Sequence, residues 1–245
     1  MERKRICPKC GKEIIYKKKS RYEKALINNS VCGNCNRYHK NESGGYNTSN
    51  QPKYSLSNLF NNSLISYYWI GFILADGSFY KNRFELSVAS IDKEHLLRFQ
   101  QYINGPNVVY RNKTKSYRLQ FNNKYSIKEF MDKYRFNYNK TYNPVSNSFI
   151  DTLTIEQRTA LLIGIIDGDG SIGYNGSINA RVISITAHKN WTSFYTYLIP
   201  HWHIKEVNNT NCIDCKLFKR TEICKLLNFG IENQLPILLR KWKKI

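Results

Sequence analysis

The chain has 245 residues, of which 41% are hydrophobic and 14% aromatic, enough apolar material for one substantial core or two small ones. Its 38 Lys and Arg stand against 18 Asp and Glu, and a net charge of +20 repels itself unless a polyanion is the partner. The basic residues run through the whole chain with Tyr and Phe between them, rather than along one amphipathic face, which favours nucleic acid over an anionic membrane surface.

The opening MERKRICPKC has no apolar run after its charges. The longest apolar runs, 67–75 and 160–166, are too short to cross a bilayer, so a soluble, intracellular protein is expected. In a reducing compartment the seven cysteines are poor disulfide candidates. Four of them, Cys7, Cys10, Cys32 and Cys35, form two C-x2-C pairs separated by 21 residues, the spacing of a four-thiolate zinc site. Residues 1–38 are therefore expected to be a small module stapled by Zn2+, since so short and basic a segment has no core of its own. Residues 39–58, rich in Gly, Ser and Asn, are expected to form a linker.

Everything beyond is a repeat. WIGFILADGSF (69–79) lies over LIGIIDGDGSI (162–172) at an offset of 93, and two later segments align at 96 and 95. Each unit, 59–150 and 151–245, is expected to run helix, two strands, helix, two strands, helix, making an α+β fold. Thr154 to Gln157 and Ser126 to Glu129 have the spacing of capping boxes, and Asp92 and Asn190 are placed to cap the middle helices. Asn175-Gly176 is a two-residue hairpin signal. From Arg83 to Ser90 the alternation puts Phe84, Leu86 and Val88 on one face and Glu85 and Ser87 on the other. Cys212 and Cys215 fall on a strand, three apart and so on opposite faces, and with Cys224 are expected to be structural thiols.

In WIGFILADG and LIGIIDGDG, Gly71 and Gly164 sit mid-helix at a cost of about 1 kcal/mol each, which makes sense if two helices touch backbone to backbone. Each motif closes on an aspartate followed by glycine, Asp76-Gly77 and Asp169-Gly170. An aspartate at a helix C-terminus faces the negative end of the dipole, and two side by side call for a cation, with Mg2+ or Mn2+ the natural choice. The two segments resemble the paired motifs of single-chain LAGLIDADG homing endonucleases.

That resemblance implies two pseudo-symmetric αββαββα units forming a saddle-shaped sheet surface on double-stranded DNA, over a long target of two half-sites, from one monomer. It implies that Asp76 and Asp169 share divalent metal for phosphodiester hydrolysis, and that sheet-borne lysines support the chemistry. Lys124 and Lys219 are the candidates, aligned before the third helices. The earlier acidic position of the motif is Asp167 in the second copy and Leu74 in the first, so Asp167 is expected to play a supporting part. Strand residues able to reach bases or phosphates are Arg83, Glu85, Arg111, Arg118 and Gln120 in the first unit and Asn179, Arg181, Lys216 and Arg220 in the second. An RNA-binding maturase of the same fold is the alternative. A non-cleaving DNA-binding regulator is disfavoured, because both aspartates are present.

Overall fold

The computed structural model describes residues 3–33, 35, 54–80, 82–176 and 179–243, and the chain divides into two compact units, Met1–Lys53 and Tyr54–Ile245. Most of the expected linker lies outside the described residues.

In the first unit, β1 (Arg3–Ile6) and β2 (Glu13–Tyr16) form an antiparallel hairpin in which Ile6 faces Glu13, followed by α1 (Lys19–Ile27). Gly11 turns the connection with φ +68°, a conformation glycine adopts without strain. The buried hydrophobics described here are Cys7, Ala25 and Cys35, so the interior is mostly sulfur.

The second unit contains both repeats. The first repeat runs α2 (Leu64–Asp76), β3 (Gly77–Tyr80), β4 (Arg83–Ala89), α3 (Lys93–Tyr102), β5 (Val109–Arg111), β6 (Ser116–Asn122) and α4 (Lys124–Tyr134). A short α5 (Asn147–Asp151) leads into the second repeat. That repeat runs α6 (Ile155–Gly168), β7 (Gly170–Asn175), β8 (Ala180–His188), α7 (Thr192–Leu198), β9 (His203–Glu206), β10 (Cys212–Leu217) and α8 (Arg220–Glu232). A last turn, α9 (Leu239–Trp242), follows. Each repeat has one four-stranded antiparallel sheet, in the orders β3-β4-β6-β5 and β7-β8-β10-β9, and the expected αββαββα pattern is present twice.

Between the sheets α2 and α6 pack against each other. From Ser66 to Leu74 every residue of α2 is buried, as is every residue of α6 from Ala160 to Asp167, the pattern of helices enclosed on all sides. A Cβ placed on Gly71 would lie 2.0 Å from the Leu161 carbonyl oxygen, and one on Gly164 would lie 2.0 Å from that of Tyr68. These reciprocal contacts repeat at the same 93-residue offset as the motif, so the pseudo-dyad passes between the two helices. Ser63 caps α2 through Ser66 N–H, and Thr154 and Gln157 close the expected capping box on α6.

Several local expectations are corrected. Leu56 and Leu59 are fully buried, and Leu56 N–H donates to Ser126 Oγ at 2.8 Å, so the end of the segment read as linker is core structure. Ser126 is consequently occupied inside α4, and Asn123 accepts the cap bond instead. Asp92 caps nothing; its carboxylate takes Arg240. Asn190 uses its amide on the Tyr142 carbonyl at 2.7 Å.

The hairpin at Asn175 pairs that residue with Ala180, leaving four residues in the connection rather than two. Gly77 pairs with Leu86 in one sheet and Gly170 with Ile185 in the other, so the second hairpin is six residues longer and its second strand lies at an offset of 99, not 96. The apolar alternation of RVISITA tolerates a shift of three because Val182 and Ile183 are adjacent and both buried.

Candidate active site and nucleic-acid face

Asp76 is the last residue of α2, and Asp169 follows the last residue of α6. The helices are in contact here too: a Cβ on Gly168 would meet Ala75 Cβ at 2.3 Å and stand 3.5 Å from Asp76 Oδ2. Glycines are also required next to the aspartates, since a Cβ on Gly77 or Gly170 would lie 2.6 Å from the carbonyl oxygen of Ile73 or Ile166.

Asp76 is half-buried, and desolvation, then the nearby charge of Asp169, pushes its pKa up to about 7. Asp169 opens further to solvent and is also shifted upward, by partial desolvation. Among the described residues neither carboxylate has an ion-pair partner within 4.0 Å.

The basic groups at this junction are Lys140 and Lys241. Lys140, beyond α4, donates to the carbonyl oxygens of Leu74, at 2.5 Å, and Ala75. Lys241, in α9, donates to those of Ile166 at 3.1 Å, Gly168 at 2.8 Å and Gly170 at 2.7 Å. Each ammonium thus sits on the negative end of one helix. Both charges act on Asp76 and Asp169, while burial lowers the pKa of both lysines.

The expected Lys124 and Lys219 lie elsewhere. Lys124 is exposed at the start of α4, and Lys219 pairs with Glu222 at 3.7 Å beside an apolar cleft containing Leu217, Leu226 and Phe229. Lys140 and Lys241 escape the repeat alignment because both lie beyond the third helices, where the two copies no longer resemble each other. The available signal was a lysine in each of the two tails, at 140 and 241.

A cleft of about 430 Å³ opens beside Asp169, lined by Ala75, Lys140, Tyr142, Thr186 and His188 among others. Asp167 faces away from it into the core, 2% exposed. Desolvation raises its pKa to about 6 although three donors favour the charged form: Tyr68 Oη at 2.6 Å, Leu238 N at 2.8 Å and Trp242 Nε1 at 2.7 Å.

The open face of the first sheet collects the expected residues. Phe84, Leu86, Leu119 and Phe121 point to the core, and the register puts Arg83, Glu85, Arg118, Gln120 and Arg111 on the other face. Glu85 accepts from Arg111 at 3.4 Å and Arg118 at 3.2 Å, holding both guanidinium groups over the sheet.

The second sheet departs from expectation. Lys216 pairs with Ser184 on the open face, where Thr186, Asp214, Lys205 and His203 join it. Arg181 has the parity of buried Ile183 and Ile185 and stacks on Tyr174 instead. Asn179 is in the hairpin turn, with φ 49°, and accepts from Tyr174 Oη. Arg220 begins α8 and is not on the sheet. The three-residue error in strand alignment accounts for Arg181.

In the N-terminal unit the sulfur atoms of Cys7, Cys10, Cys32 and Cys35 all lie within 4.8 Å of one another. Cys10 Sγ is 3.7 Å from Cys32 Sγ, and Cys7 Sγ accepts from Cys32 N–H at 3.2 Å. Cys35 N–H reaches Cys32 Sγ at 3.4 Å. Four convergent thiols with amides aimed at sulfur suit Zn2+ in a closed tetrahedral site. The protein is expected to carry about one equivalent of zinc by elemental analysis, and Cys7→Ser should lose it; a reduced preparation free of zinc contradicts this. Cys212 and Cys215 lie on opposite faces of β10, as expected.

Two αββαββα units thus meet through glycine-notched first helices, each closed by an aspartate. Residues 63–135 match the family model of a LAGLIDADG-like domain, and the chain carries that domain. The chain is similar in fold to the K262A mutant of I-SmaMI, with 16% sequence identity, a TM-score of 0.50, and coverage of 69% of this chain and 85% of that one. Another similar structure is the I-LtrWI LAGLIDADG homing endonuclease bound to target DNA, at 16% identity, a TM-score of 0.49, and coverage of 70% and 84%. No curated protein sequence matches the chain. No described helix is long and apolar enough to cross a membrane.

Proposed function

We propose that the chain is a site-specific endonuclease that hydrolyses both strands of duplex DNA with divalent metal held by Asp76 and Asp169. The observation that carries this reading is the pair of raised-pKa carboxylates at the joined ends of α2 and α6, each helix end also holding a lysine. Two hard oxygen donors without an ion-pair partner fit Mg2+ or Mn2+. A divalent ion there would activate water and stabilise the leaving oxygen, so that a new P–O bond forms as the ester P–O bond breaks.

The protein's own groups supply the rest. Asp76 must shed its proton to bind metal, while Lys140 and Lys241 bring positive charge to where a phosphate must sit. The two open sheet faces extend away from this centre along the two half-sites. Arg83, Arg111, Arg118 and Gln120 serve one half, and Lys205, Lys216 and His203 the other.

Binding should protect about 20 bp of duplex, two helical turns. Its affinity should fall with salt at a log–log slope of about −0.9 per phosphate contact. A footprint of a few base pairs, or a nearly flat salt dependence, contradicts the two-half-site mode. Equal affinity for structured RNA would favour the maturase.

A further inference from the structure

We propose that Asp167 is a positioning residue: it clamps the C-terminal turn through Trp242 and Leu238 so that Lys241 is delivered to one of the two strand-cutting sites. The inference rests on the endonuclease reading above. Three consecutive residues of α9 are each anchored by their side chains, Arg240 on the turn before α3 and Lys241 and Trp242 on α6. Arg240 makes a two-pronged ion pair with Asp92, which is 8% exposed in the turn before α3 of the first repeat. Lys241 caps the carbonyls at the end of α6. Trp242, 2% exposed, donates its indole N–H to Asp167 Oδ1, and the other oxygen of Asp167 takes Leu238 N–H and the Tyr68 hydroxyl.

Tyr68 spends its one proton on Asp167, so the 3.0 Å contact with His95 Nε2 is donated by the imidazole, which is neutral at physiological pH because burial lowers its pKa to about 4. Donation therefore runs from α3 through α2 to Asp167 on α6, which also accepts from Leu238 and Trp242 of the turn that bears Lys241. A four-residue helix has little stability of its own, and these bonds define where its lysine points.

The first repeat shows why the device is specific to Lys241. Leu74 occupies the place of Asp167, and Lys140 is held from outside, its own carbonyl and that of Thr141 accepting from Trp191 Nε1 at 3.1 and 3.0 Å. Loss of the Asp167 clamp should disturb one lysine and leave the other. A purely structural role would weaken both strand cuts together, because both aspartates lie on the same helix pair.

The test uses the full-length, zinc-loaded protein and three variants: Trp242→Phe, which keeps an aromatic ring but loses the donor; Asp167→Asn, which turns an acceptor towards donors; and Lys241→Met as the reference. Without DNA, reductive methylation read by mass spectrometry should find Lys241 protected in the wild type and modified at a rate approaching that of exposed Lys243 in both clamp variants. On a cleavable duplex, both clamp variants should accumulate nicked product with the strand bias of Lys241→Met. One strand should slow on the order of 10- to 100-fold, the other by no more than about 3-fold. Unchanged methylation of Lys241, or equal slowing of the two strands in folded variants, overturns the proposal. If the wild type cuts no duplex, the endonuclease reading has failed, and the methylation arm still decides whether the clamp places Lys241.

Discussion

Asp76→Asn and Asp169→Asn are each expected to abolish double-strand cleavage, by on the order of a thousandfold or more, equivalent to about 4 kcal/mol of lost transition-state stabilisation. Nicking of one strand is the activity that could survive. Both variants should fold, and Asp76→Asn should be more stable than the wild type without metal. The sign follows from the raised pKa. An aspartate of pKa about 7 in the fold and 3.8 in the unfolded chain binds more protons when folded between those values, so ionising it costs stability as pH rises through that window. The full shift would correspond to about 4 kcal/mol at 1.36 kcal/mol per unit, and partial exposure beside two lysines reduces this to about 1–3 kcal/mol. The gain from Asp76→Asn should therefore be largest at pH 8 and disappear near pH 4, measured by urea denaturation in EDTA. A gain independent of pH would mean that the Asp76 carboxyl is not held against its charge.

Gly71→Ala and Gly164→Ala should have the largest effects on stability. In an exposed helix the change would add about 1 kcal/mol through helix propensity. Here each new methyl would lie 2.0 Å from a carbonyl oxygen of the other helix, and backbone cannot yield as a flexible side chain can. Relief requires α2 and α6 to separate, opening a seam through the whole core, at a cost of about 3 kcal/mol or more per substitution. The same separation would pull Asp76 from Asp169, so any folded fraction should bind metal weakly. An unchanged or higher urea midpoint for either variant would show that the helices do not meet as described.

Much of this was legible in the sequence, for identifiable reasons. Gly71 and Gly164 were informative because glycine is costly mid-helix, and their recurrence beside Asp76-Gly77 and Asp169-Gly170 marked a symmetric contact. The convergence of the four N-terminal cysteines was equally plain, since two C-x2-C pairs at this separation have the spacing of a four-thiolate site. In the first sheet, strict alternation put Arg83, Glu85, Arg118 and Gln120 on the open face.

The failures share a cause. The second hairpin is six residues longer, and adjacent apolar residues at Val182 and Ile183 hid the true register, which misplaced Arg181. Lys140 and Lys241 lie outside the repeat, on segments whose position is set by tertiary anchors: Trp191 for one, Asp167 for the other. For Asp167 the sequence supports only the expectation of a supporting part, because Leu74 stands at its place in the first motif. Its bonds to Leu238 and Trp242 are made to a C-terminal turn that lies outside the repeat.

The central claim is that Asp76 and Asp169 together make a metal-dependent site for cutting duplex DNA. The most direct measurement is a cleavage selection on a randomised duplex library, run with Mg2+ and with EDTA, for the wild type and for Asp76→Asn and Asp169→Asn. The account predicts a single enriched target about 20 bp long, cut on both strands by the wild type only when Mg2+ is present, and cut on both strands by neither variant. Double-strand cleavage in EDTA, or by either variant at the wild-type rate, would contradict it.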